Sequence, residues 1–297
     1  MAAYKIAGIG EILFDIFGES EELGGAPINF VYHASALGAE GIAVSSVGND
    51  RRGRKAIDEL KQRGLDVACI HIDEYHPTGY VTASLDDRGI ASYVFPDDVA
   101  WDHLSLNRQA LAIAPELDAV CFGSLAQRSP VSRRAILRFL GLTSSRALKI
   151  YDINLRQHFY TQDMIIRSLH LADIVKLNEE ELPVLAAMLS LSGGDGARLD
   201  TVVKRFNLKL AVLTRGCRGS LLVSPEEHSE HPGFPPTRIA DTVGAGDSFT
   251  AAVTIGLLNG ENLQKINTRA NRVASCVCSQ TGAMPDISEV FKSPSSG

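Results

Sequence analysis

The 297-residue sequence lacks the features of membrane, disulfide-bonded and nucleic-acid-binding proteins. It has no apolar run of about 18 residues, the length that a membrane-spanning helix requires, and its start lacks the hydrophobic segment of a signal peptide. The five cysteines are an odd number without a Cys-x-x-Cys pair, which favours free thiols in a reducing compartment. A formal net charge of -6 argues against a nucleic-acid-binding surface. We therefore expect a cytoplasmic protein that binds neither membranes nor nucleic acid.

Four common signatures of enzyme sites are also missing. The Gly-x4-Gly-Lys-Ser/Thr phosphate loop does not occur, and Gly8-Ile9-Gly10 lacks the third glycine of a dinucleotide-binding turn. Gly123 and Ser124 are not followed by the second glycine of a nucleophile elbow. The eight histidines show no metal-ligand spacing, so the sequence predicts no zinc site. A nucleotide site in this chain must therefore use another arrangement.

The order of apolar segments predicts an α/β fold. Continuously apolar strand candidates alternate with helix candidates over most of the chain, which is typical of a mostly parallel, doubly wound sheet with helices on both faces. Segments 67–73, 78–85 and 90–95 interrupt this order because they are strands without intervening helices, and Asp86-Asp87-Arg88-Gly89 has the composition of a hairpin turn. We expect these strands to form a small sheet apart from the main body.

The most distinctive stretch runs from Asp241 to Phe249 and contains Gly244-Ala245-Gly246-Asp247. Its glycines permit close approach of the backbone, and the apolar run that follows indicates a buried helix. The start of a helix offers unpaired N–H groups and the positive end of the dipole, which together favour an anion such as phosphate. Asp247 would repel such an anion, so it either caps the helix with its side chain or has a chemical role.

Polar residues follow several predicted strands, where doubly wound sheets bind their ligands. These residues are Asp15, Ser124, Asp152, Asn154, Arg156, Asn178 and Thr214. Structural alternatives exist for some of them. Asn178 and Glu181 match a capping box, Thr214 to Ser220 matches a turn between two strands, and Asp15 matches an ordinary loop residue. Several polar groups at one edge of a sheet nevertheless indicate a shared cleft.

Together these motifs resemble the ribokinase-like, or pfkB, family of carbohydrate kinases. Asp241 to Phe249 is similar to the second signature of that family residue by residue, and the resemblance extends over essentially the whole chain. Further matching motifs are Gly24-Gly25-Ala26-Pro27-x-Asn29, Val47-Gly48-x-Asp50, Asn178-x-x-Glu181, Leu213-Thr214-x-Gly216-x-x-Gly219 and Gly282-Ala283. The motifs that look most like bacterial fructokinases are Gly10-Glu11-x-Leu13-x-Asp15, Gly25-Ala26-Pro27, Gly123-Ser124-Leu125-Ala126-Gln127-Arg128 and Asp152-x-Asn154-x-Arg156.

The resemblance implies a ribokinase-like fold and ATP-dependent phosphorylation of a sugar hydroxyl, with fructose as the first candidate. Asp247 would accept the hydroxyl proton, and the amides of Gly244, Ala245 and Gly246 would form the anion hole for the transferred phosphoryl group. We expect the helix dipole to keep Asp247 ionised at neutral pH. Two other functions stay open: another sugar-acid or nucleoside kinase of the family, and a catalytically silent sugar-binding protein on this fold.

The family also implies the remaining ligand contacts. The residues that would bind the sugar are Asp15, Gly24, Gly25, Asn29 and Arg156. The residues that would bind the nucleotide are Asn178, Thr214, Gly216, Gly219 and Asn271. Glu181 would act on Mg²⁺ through water, and Asp241 would help to bind a monovalent cation such as K⁺.

The same resemblance predicts a single domain over residues 1–297. Segments of about 11–30 and 67–100 would form a lid that closes the cleft against water. Because the edges of such small sheets can pair between subunits, we expect a homodimer through the lid. The other predicted partners are the small-molecule sugar and ATP.

Overall fold

The computed structural model describes residues 3–85, 91–234 and 239–287. Its strands, numbered β1 to β13 in chain order, are Lys5–Ile9, Leu13–Phe17, Ser20–Gly24, Glu40–Gly48, Ile70–Asp73, Gly79–Leu85, Ala91–Val94, Ala119–Gly123, Leu148–Asp152, Ile174–Asn178, Leu210–Thr214, Ser220–Val223 and His228–His231. Its α-helices, numbered α1 to α9, are Ala26–Ala36, Arg51–Gln62, Arg108–Ile113, Pro130–Leu142, Gln162–Leu171, Glu181–Leu189, Asp195–Phe206, Ala245–Leu258 and Leu263–Cys278.

The larger of two sheets has nine strands in the order β13-β12-β11-β10-β9-β8-β1-β4-β5. All neighbours from β11 to β5 are parallel, and β12 and β13 add an antiparallel edge. Helices connect most of the parallel strands, because a parallel pair needs a crossover connection. The prediction of a mostly parallel, doubly wound α/β sheet is confirmed.

Both faces of this sheet are buried, which explains why its strands are continuously apolar. In β8, Val120 and Phe122 pack into the apolar cluster that includes α4 to α7, whereas Ala119 and Cys121 pack into the cluster that includes α1, α2, α8 and α9. Successive side chains point to opposite faces of a strand, so a strand covered on both sides has no polar face. Within the described ranges, no helix combines the length and hydropathy needed to cross a membrane.

The smaller sheet has the order β3-β2-β6-β7, so the expected separate sheet is present. The assignment of segment 67–73 to this sheet is wrong, because Ile70–Asp73 pairs in parallel with β4 in the larger sheet. The intervening helix α2 supplies the crossover that such a pair needs. The fourth strand of the small sheet is instead β3, from residues 20–24. The predicted hairpin turn at Asp86 to Gly89 lies outside the described residues.

The small sheet is attached at the carboxyl edge of the larger one. Strand β2 follows β1 across residues 10–12, and β6 follows β5 across residues 74–78. The carboxyl ends of β1, β8, β9, β10 and β11 lie at this same edge, because these strands are parallel. The fold therefore brings the predicted ligand-binding edge and the small sheet together.

Candidate active site

Helix α8 begins at this edge, directly after a glycine turn. Gly244 is its N-cap residue and has a φ of 77°, which favours glycine. A Cβ atom at this position would lie 2.2 Å from the carbonyl oxygen of Ala283, so no larger residue fits without moving that backbone. The helix starts at Ala245, as the sequence predicts, and its first turn faces the cleft.

Asp247 is the third residue of α8, and its carboxylate is not a helix cap. The N-cap is Gly244, without a side-chain capping bond, so the capping alternative for Asp247 is wrong. One Asp247 oxygen instead accepts a 2.9 Å hydrogen bond from the side-chain amide of Asn29, in the first turn of α1. The other amide atom of Asn29, Oδ1, is buried and has no partner among the described residues. The structure thus places the predicted base, Asp247, in hydrogen-bond contact with Asn29, a residue predicted to bind the sugar.

Burial makes Asp247 a weaker acid than an exposed aspartate. Loss of solvent raises its pKa to about 6, and the negative charge of Asp152 adds to this effect. The positive charge of Lys176, the hydrogen bond from Asn29 and the charge of Arg156 lower the pKa in turn. Asp247 remains mostly ionised at neutral pH, but with a proton affinity well above that of an exposed aspartate. A pKa close to neutrality suits a general base.

The glycine turn leaves backbone amides available for an anion. The N–H of Ala245 donates a weak 3.3 Å bond to the carbonyl oxygen of Thr242. The N–H groups of Gly244 and Gly246 have no acceptor within the described ranges. Two unpaired amides at a helix start form a site for negative charge.

Lys176 lies beneath this turn and was not singled out by the sequence motifs. A Cβ atom at Gly246 would lie 3.0 Å from its Nζ atom. Nζ also forms a buried ion pair with Asp152, 3.2 Å from both carboxylate oxygens, across the neighbouring strands β9 and β10. The charges of Asp152, Glu181 and Asp247 raise the pKa of Lys176, although burial opposes them. The anion site therefore has a permanent positive charge below it.

The residues Asp15, Gly24 and Gly25, which are predicted to bind the sugar, lie where β1 connects to the small sheet. Burial raises the pKa of Asp15 on β2 to about 6, an effect that Arg156 opposes. A Cβ atom at Gly24 would lie 2.8 Å from an Asp15 carboxylate oxygen. Gly25, with a φ of 121°, lies so close to the backbone of Glu11 that a Cβ atom would be 2.3 Å from its carbonyl oxygen. Asp15, Gly24 and Gly25 thus surround one small region beside Asn29.

Glu11 is a second residue whose role the sequence did not assign. Its side chain is 2% exposed, and its Oε2 atom has no partner among the described residues. Burial raises its pKa to about 7, and the charge of Asp247 raises it further while that of Arg156 lowers it. The sequence signals were its place in the Gly10-Glu11-x-Leu13-x-Asp15 motif and its position before the apolar Ile12, where an acid is unusual.

Arg156 is exposed above these acids. Its positive charge lowers the pKa values of Glu11, Asp15 and Asp247, which places it on the same side of the cleft. Ser124, by contrast, does not line the cleft. It is fully buried, and its hydroxyl group is 2.6 Å from the hydroxyl group of Tyr151.

Asn178 and Glu181 form the reciprocal bonds of a capping box. The Asn178 Oδ1 atom accepts from the N–H groups of Glu180 and Glu181, and a Glu181 oxygen accepts from the N–H of Asn178. The second Glu181 oxygen accepts from the N–H of Leu155. Burial raises the pKa of Glu181, and Lys176 lowers it. The structural alternative for this pair is therefore observed, at a position next to Lys176.

The predicted nucleotide residues lie along β11, β12 and α9. Thr214 ends β11, and Gly216 is exposed with a φ of 55°. Gly219 is needed by the fold, since a Cβ atom there would lie 1.9 Å from the carbonyl oxygen of His231. The side-chain amide of Asn271 donates to the Ser220 hydroxyl group at 2.7 Å and is buried.

Asp241 fixes the start of the glycine turn. One of its carboxylate oxygens accepts from the N–H of Val243 at 3.0 Å, and the other accepts from the N–H of Gly282 at 3.1 Å. The same segment positions Ala283 against Gly244. Asp241 therefore ties the turn to the segment after α9.

A family model for pfkB family carbohydrate kinases matches residues 11–289. The uncharacterized sugar kinase PH1459 of Pyrococcus horikoshii is 32% identical over 297 aligned residues, which cover 94% of this chain and 91% of that protein. A fructokinase of Salmonella typhimurium is 29% identical over 269 residues, covering 85% of this chain and 84% of its own.

Solved structures with the same fold cover nearly the whole chain. The structure of PH1459 in complex with ATP has a TM-score of 0.82 at 29% identity and covers 94% of each chain. The fructokinase of Vibrio cholerae O395, solved with fructose, ADP and calcium, has a TM-score of 0.81 at 23% identity, covers 97% of this chain and 98% of its own, and so shows the fold alone. With a family model and a relative above 30% identity both spanning most of its length, the chain belongs to the pfkB family of carbohydrate kinases, which are phosphotransferases.

Proposed function

We propose that this sugar kinase transfers the γ-phosphoryl group of ATP to a hydroxyl group of fructose. The observation that carries the proposal is the pairing of Asp247 with unbonded backbone amides at the start of α8. The carboxylate can accept a proton, and the amides of Gly244 and Gly246 can stabilise the charge of a transferred phosphoryl group.

Asp247 would orient the attacking hydroxyl group and take its proton. Asn29 holds the carboxylate by one oxygen, which leaves the other oxygen for the substrate. The turn of Gly244, Ala245 and Gly246 would receive the phosphoryl oxygens, with the Lys176 charge below it. Release of the Ala245 N–H from Thr242 would add a third donor to this anion hole. Phosphoryl transfer depends mainly on alignment and on stabilisation of negative charge, and these residues supply both.

The acceptor sugar would lie between Asp15, Asn29 and the two glycines Gly24 and Gly25. The Asn29 Oδ1 atom is buried without a partner, and a sugar hydroxyl group can donate to it. The absence of a side chain at Gly24 keeps the Asp15 carboxylate free of a clash on that side. Arg156 would contact the sugar or a phosphate from the open side.

The nucleotide would extend from the glycine turn toward Thr214 and Gly216, with Gly219 shaping the connection between β11 and β12. Asn271 would lie near the base, and Asn178 near the phosphates. The ATP complex of PH1459 supports ATP as the phosphoryl donor.

Mg²⁺ fits beside Glu181 in an outer-sphere role. Each Glu181 oxygen accepts one backbone N–H and keeps a lone pair, which can hold a metal-bound water. Mg²⁺ dehydrates reluctantly and usually keeps several waters. When bound, the ion supplies positive charge that offsets the phosphate charge.

A monovalent cation such as K⁺ would bind beside Asp241. Both oxygens of this carboxylate accept backbone N–H groups but keep lone pairs. A Vibrio cholerae fructokinase variant was solved with potassium, which supports this part of the proposal.

The small sheet would serve as the lid, and its outer strands would pair between two subunits. In the described part of the chain, β3 and β7 are the edges of this sheet. Exposed edges can pair with a second copy. Residues 1–297 would then form a single kinase domain with the lid made by segments near 11–30 and 79–100.

Fructose is proposed because several relatives are named fructokinases, including those of Salmonella typhimurium and Escherichia coli. A relative from Bacillus licheniformis is named 5-dehydro-2-deoxygluconokinase, so another sugar derivative is the second candidate. An ADP-release assay with fructose, other hexoses, a sugar acid and a nucleoside separates these functions. The highest kcat/KM on fructose is expected. Turnover on another acceptor alone would overturn the fructose assignment, and sugar binding without any turnover would favour a silent binding protein.

A further inference from the structure

A cluster of His76, Asp98 and His103 lies outside the phosphotransfer site. His76 is in the link that leads from β5 in the large sheet to β6 in the small sheet. Asp98 and His103 follow β7, in the link that leaves the small sheet. The cluster therefore joins two chain segments that both connect the sheets.

The three side chains present ligand atoms to a common point. One atom from each residue lies within 4.8 Å of the other two. The Asp98 Oδ1 atom is 2.8 Å from His103 Nε2 and 3.7 Å from His76 Nε2. In a tetrahedral zinc site with bonds of about 2.0–2.2 Å, ligand atoms are roughly 3.3 Å apart. The three atoms therefore lie close to the spacing of such a site, which they reach when the histidine side chains rotate toward a common ion.

The two imidazole rings are stacked, with centroids 3.5 Å apart and planes within 8°. The lone pair of an imidazole nitrogen lies in the plane of its ring, so two stacked rings do not point at a single ion. Binding of one ion by both rings therefore requires one of them to turn out of the stack.

A carboxylate outside the cluster fixes the orientation of His76. The Nδ1 atom of this ring is 2.9 Å from Asp73 Oδ2, and Asp73 is itself buried. The other Asp73 oxygen accepts from the N–H groups of Tyr75 and His76. A carboxylate on Nδ1 favours the tautomer that leaves a lone pair on Nε2, and metal-binding histidines almost always have such a partner.

The surroundings are accessible and mostly negative. Asp98 is largely exposed, and the exposed acids Glu74 and Asp97 flank it in the same two links. Arg128 is 3.8 Å from Asp97, but it is bound to Asp102 at 2.7 Å. A cation can therefore reach the cluster from solvent.

We propose that His76, Asp98 and His103 bind a divalent transition-metal ion of the zinc class. Two imidazole nitrogens and one carboxylate oxygen are a common ligand set for such ions, with water in the remaining position. The bound ion cross-links the two segments between the large and small sheets and so limits the movement of the small sheet. The site does not depend on the phosphoryl acceptor.

Titration of the chelator-treated, full-length protein with Zn²⁺ tests the proposal. One ion per chain is expected to bind in isothermal titration calorimetry, and Co²⁺ is expected to give the visible absorption of a tetrahedral site. His76→Ala and His103→Ala are each expected to weaken Zn²⁺ binding by at least ~100-fold. Asp73→Asn, which removes the outer carboxylate, is expected to weaken it about 10–100-fold.

His228→Ala is the matched control. His228 is also paired with a single aspartate, Asp200 at 2.9 Å, but on a different surface. Its loss is expected to leave Zn²⁺ binding unchanged. Circular dichroism identifies any variant that fails to fold, and Asp98→Asn provides a conservative replacement in that case. Absence of one-to-one binding, or equal binding by the variants and the wild type, would show that the cluster is only a histidine–aspartate ion pair.

Discussion

The two ends of the cleft use different parts of the chain for recognition. Around Asp247, burial and neighbouring charges act together: Asp152 and Lys176 form an ion pair and both affect the pKa of Asp247, whose charge in turn raises the pKa of the buried Glu11. Between Thr214 and Gly219, the charged side chains are Arg215 and Arg218, which pair with the surface acids Glu230 and Glu179. In the proposed mechanism, the first end moves a proton and stabilises charge, whereas the second holds the nucleotide. Substitutions at the two ends should therefore have different kinetic effects.

The largest effect is expected at the proton acceptor. Asp247→Asn is expected to lower kcat about 10²–10⁴-fold, the range for loss of a general base, while the KM for ATP changes little. The acid limb of the kcat profile, expected near the Asp247 pKa of about 6, should also disappear. Steady-state kinetics from pH 5 to 8 measure both effects. Asp163→Asn, in the first turn of α5, is the control, and near-normal turnover of Asp247→Asn would refute the assignment.

The next effect concerns the charge beneath the anion site. Lys176→Met is expected to destabilise the fold by about 3–5 kcal/mol, because it leaves Asp152 buried without a partner. Urea unfolding measures this change. The double variant Lys176→Met/Asp152→Leu is expected to recover much of the stability but not the phosphotransfer rate.

A more exposed lysine–aspartate ion pair is the control for that experiment. Lys209 and Asp173 are 3.1 Å apart, and the lysine is 56% exposed. Lys209→Met is expected to cost at most about 1 kcal/mol. If both lysine variants lost the same stability, burial of the Lys176 pair would not explain its role.

A smaller effect is expected when Glu11 is replaced, because this residue makes the free energy of unfolding depend on pH. Its folded-state pKa of about 7 exceeds the reference value of 4.5, so the folded state binds this proton more tightly than the unfolded state. The stability that protonated Glu11 gives to the folded state is fully present below pH 4.5 and is lost as the pH rises to about 7. Glu11→Gln should therefore be more stable than wild type at pH 8, by roughly 1–3 kcal/mol.

Chemical denaturation at pH 5 and pH 8 measures this difference. The exposed Glu226→Gln should behave like wild type at both values. A Glu11→Gln variant with the same pH dependence as wild type would mean that Glu11 does not hold its proton in the folded protein.

The smallest effects are expected in substrate KM values. Asn29→Ala should raise the sugar KM about tenfold, because it removes a hydrogen-bonding group worth about 1.4 kcal/mol. Thr214→Ala should raise the ATP KM by a few-fold and leave the sugar KM unchanged. Initial rates with each substrate varied separately test both variants, and equal effects on the two KM values would remove the distinction between the ends of the cleft.

The sequence predicted the features that depend on local pattern. The glycine turn, the helix after it and the alternation of strands and helices follow from nearby residues. Lys176 and Asp152 were harder to connect, because they meet only through the pairing of β9 with β10. For a similar reason, β5 was assigned to the wrong sheet: local composition does not show which sheet a short strand joins.

The histidine cluster illustrates the same limit. His76 and His103 are 27 residues apart, so a search for short metal-ligand spacings does not find them. The two links come together only because β5 is in one sheet while β6 and β7 are in the other. Non-local strand pairing thus accounts for most of what the sequence did not predict.

The bond between Asn29 and Asp247 also has a consequence for biosynthesis. These residues are 218 positions apart, and the helices that carry them, α1 and α8, pack against each other. At a synthesis rate of about 5–20 residues per second, α1 waits roughly 10–40 s for its partner helix. The α1 side chains that contact α8 have no native partner during that time, although α1 can already pack against β1 and β4.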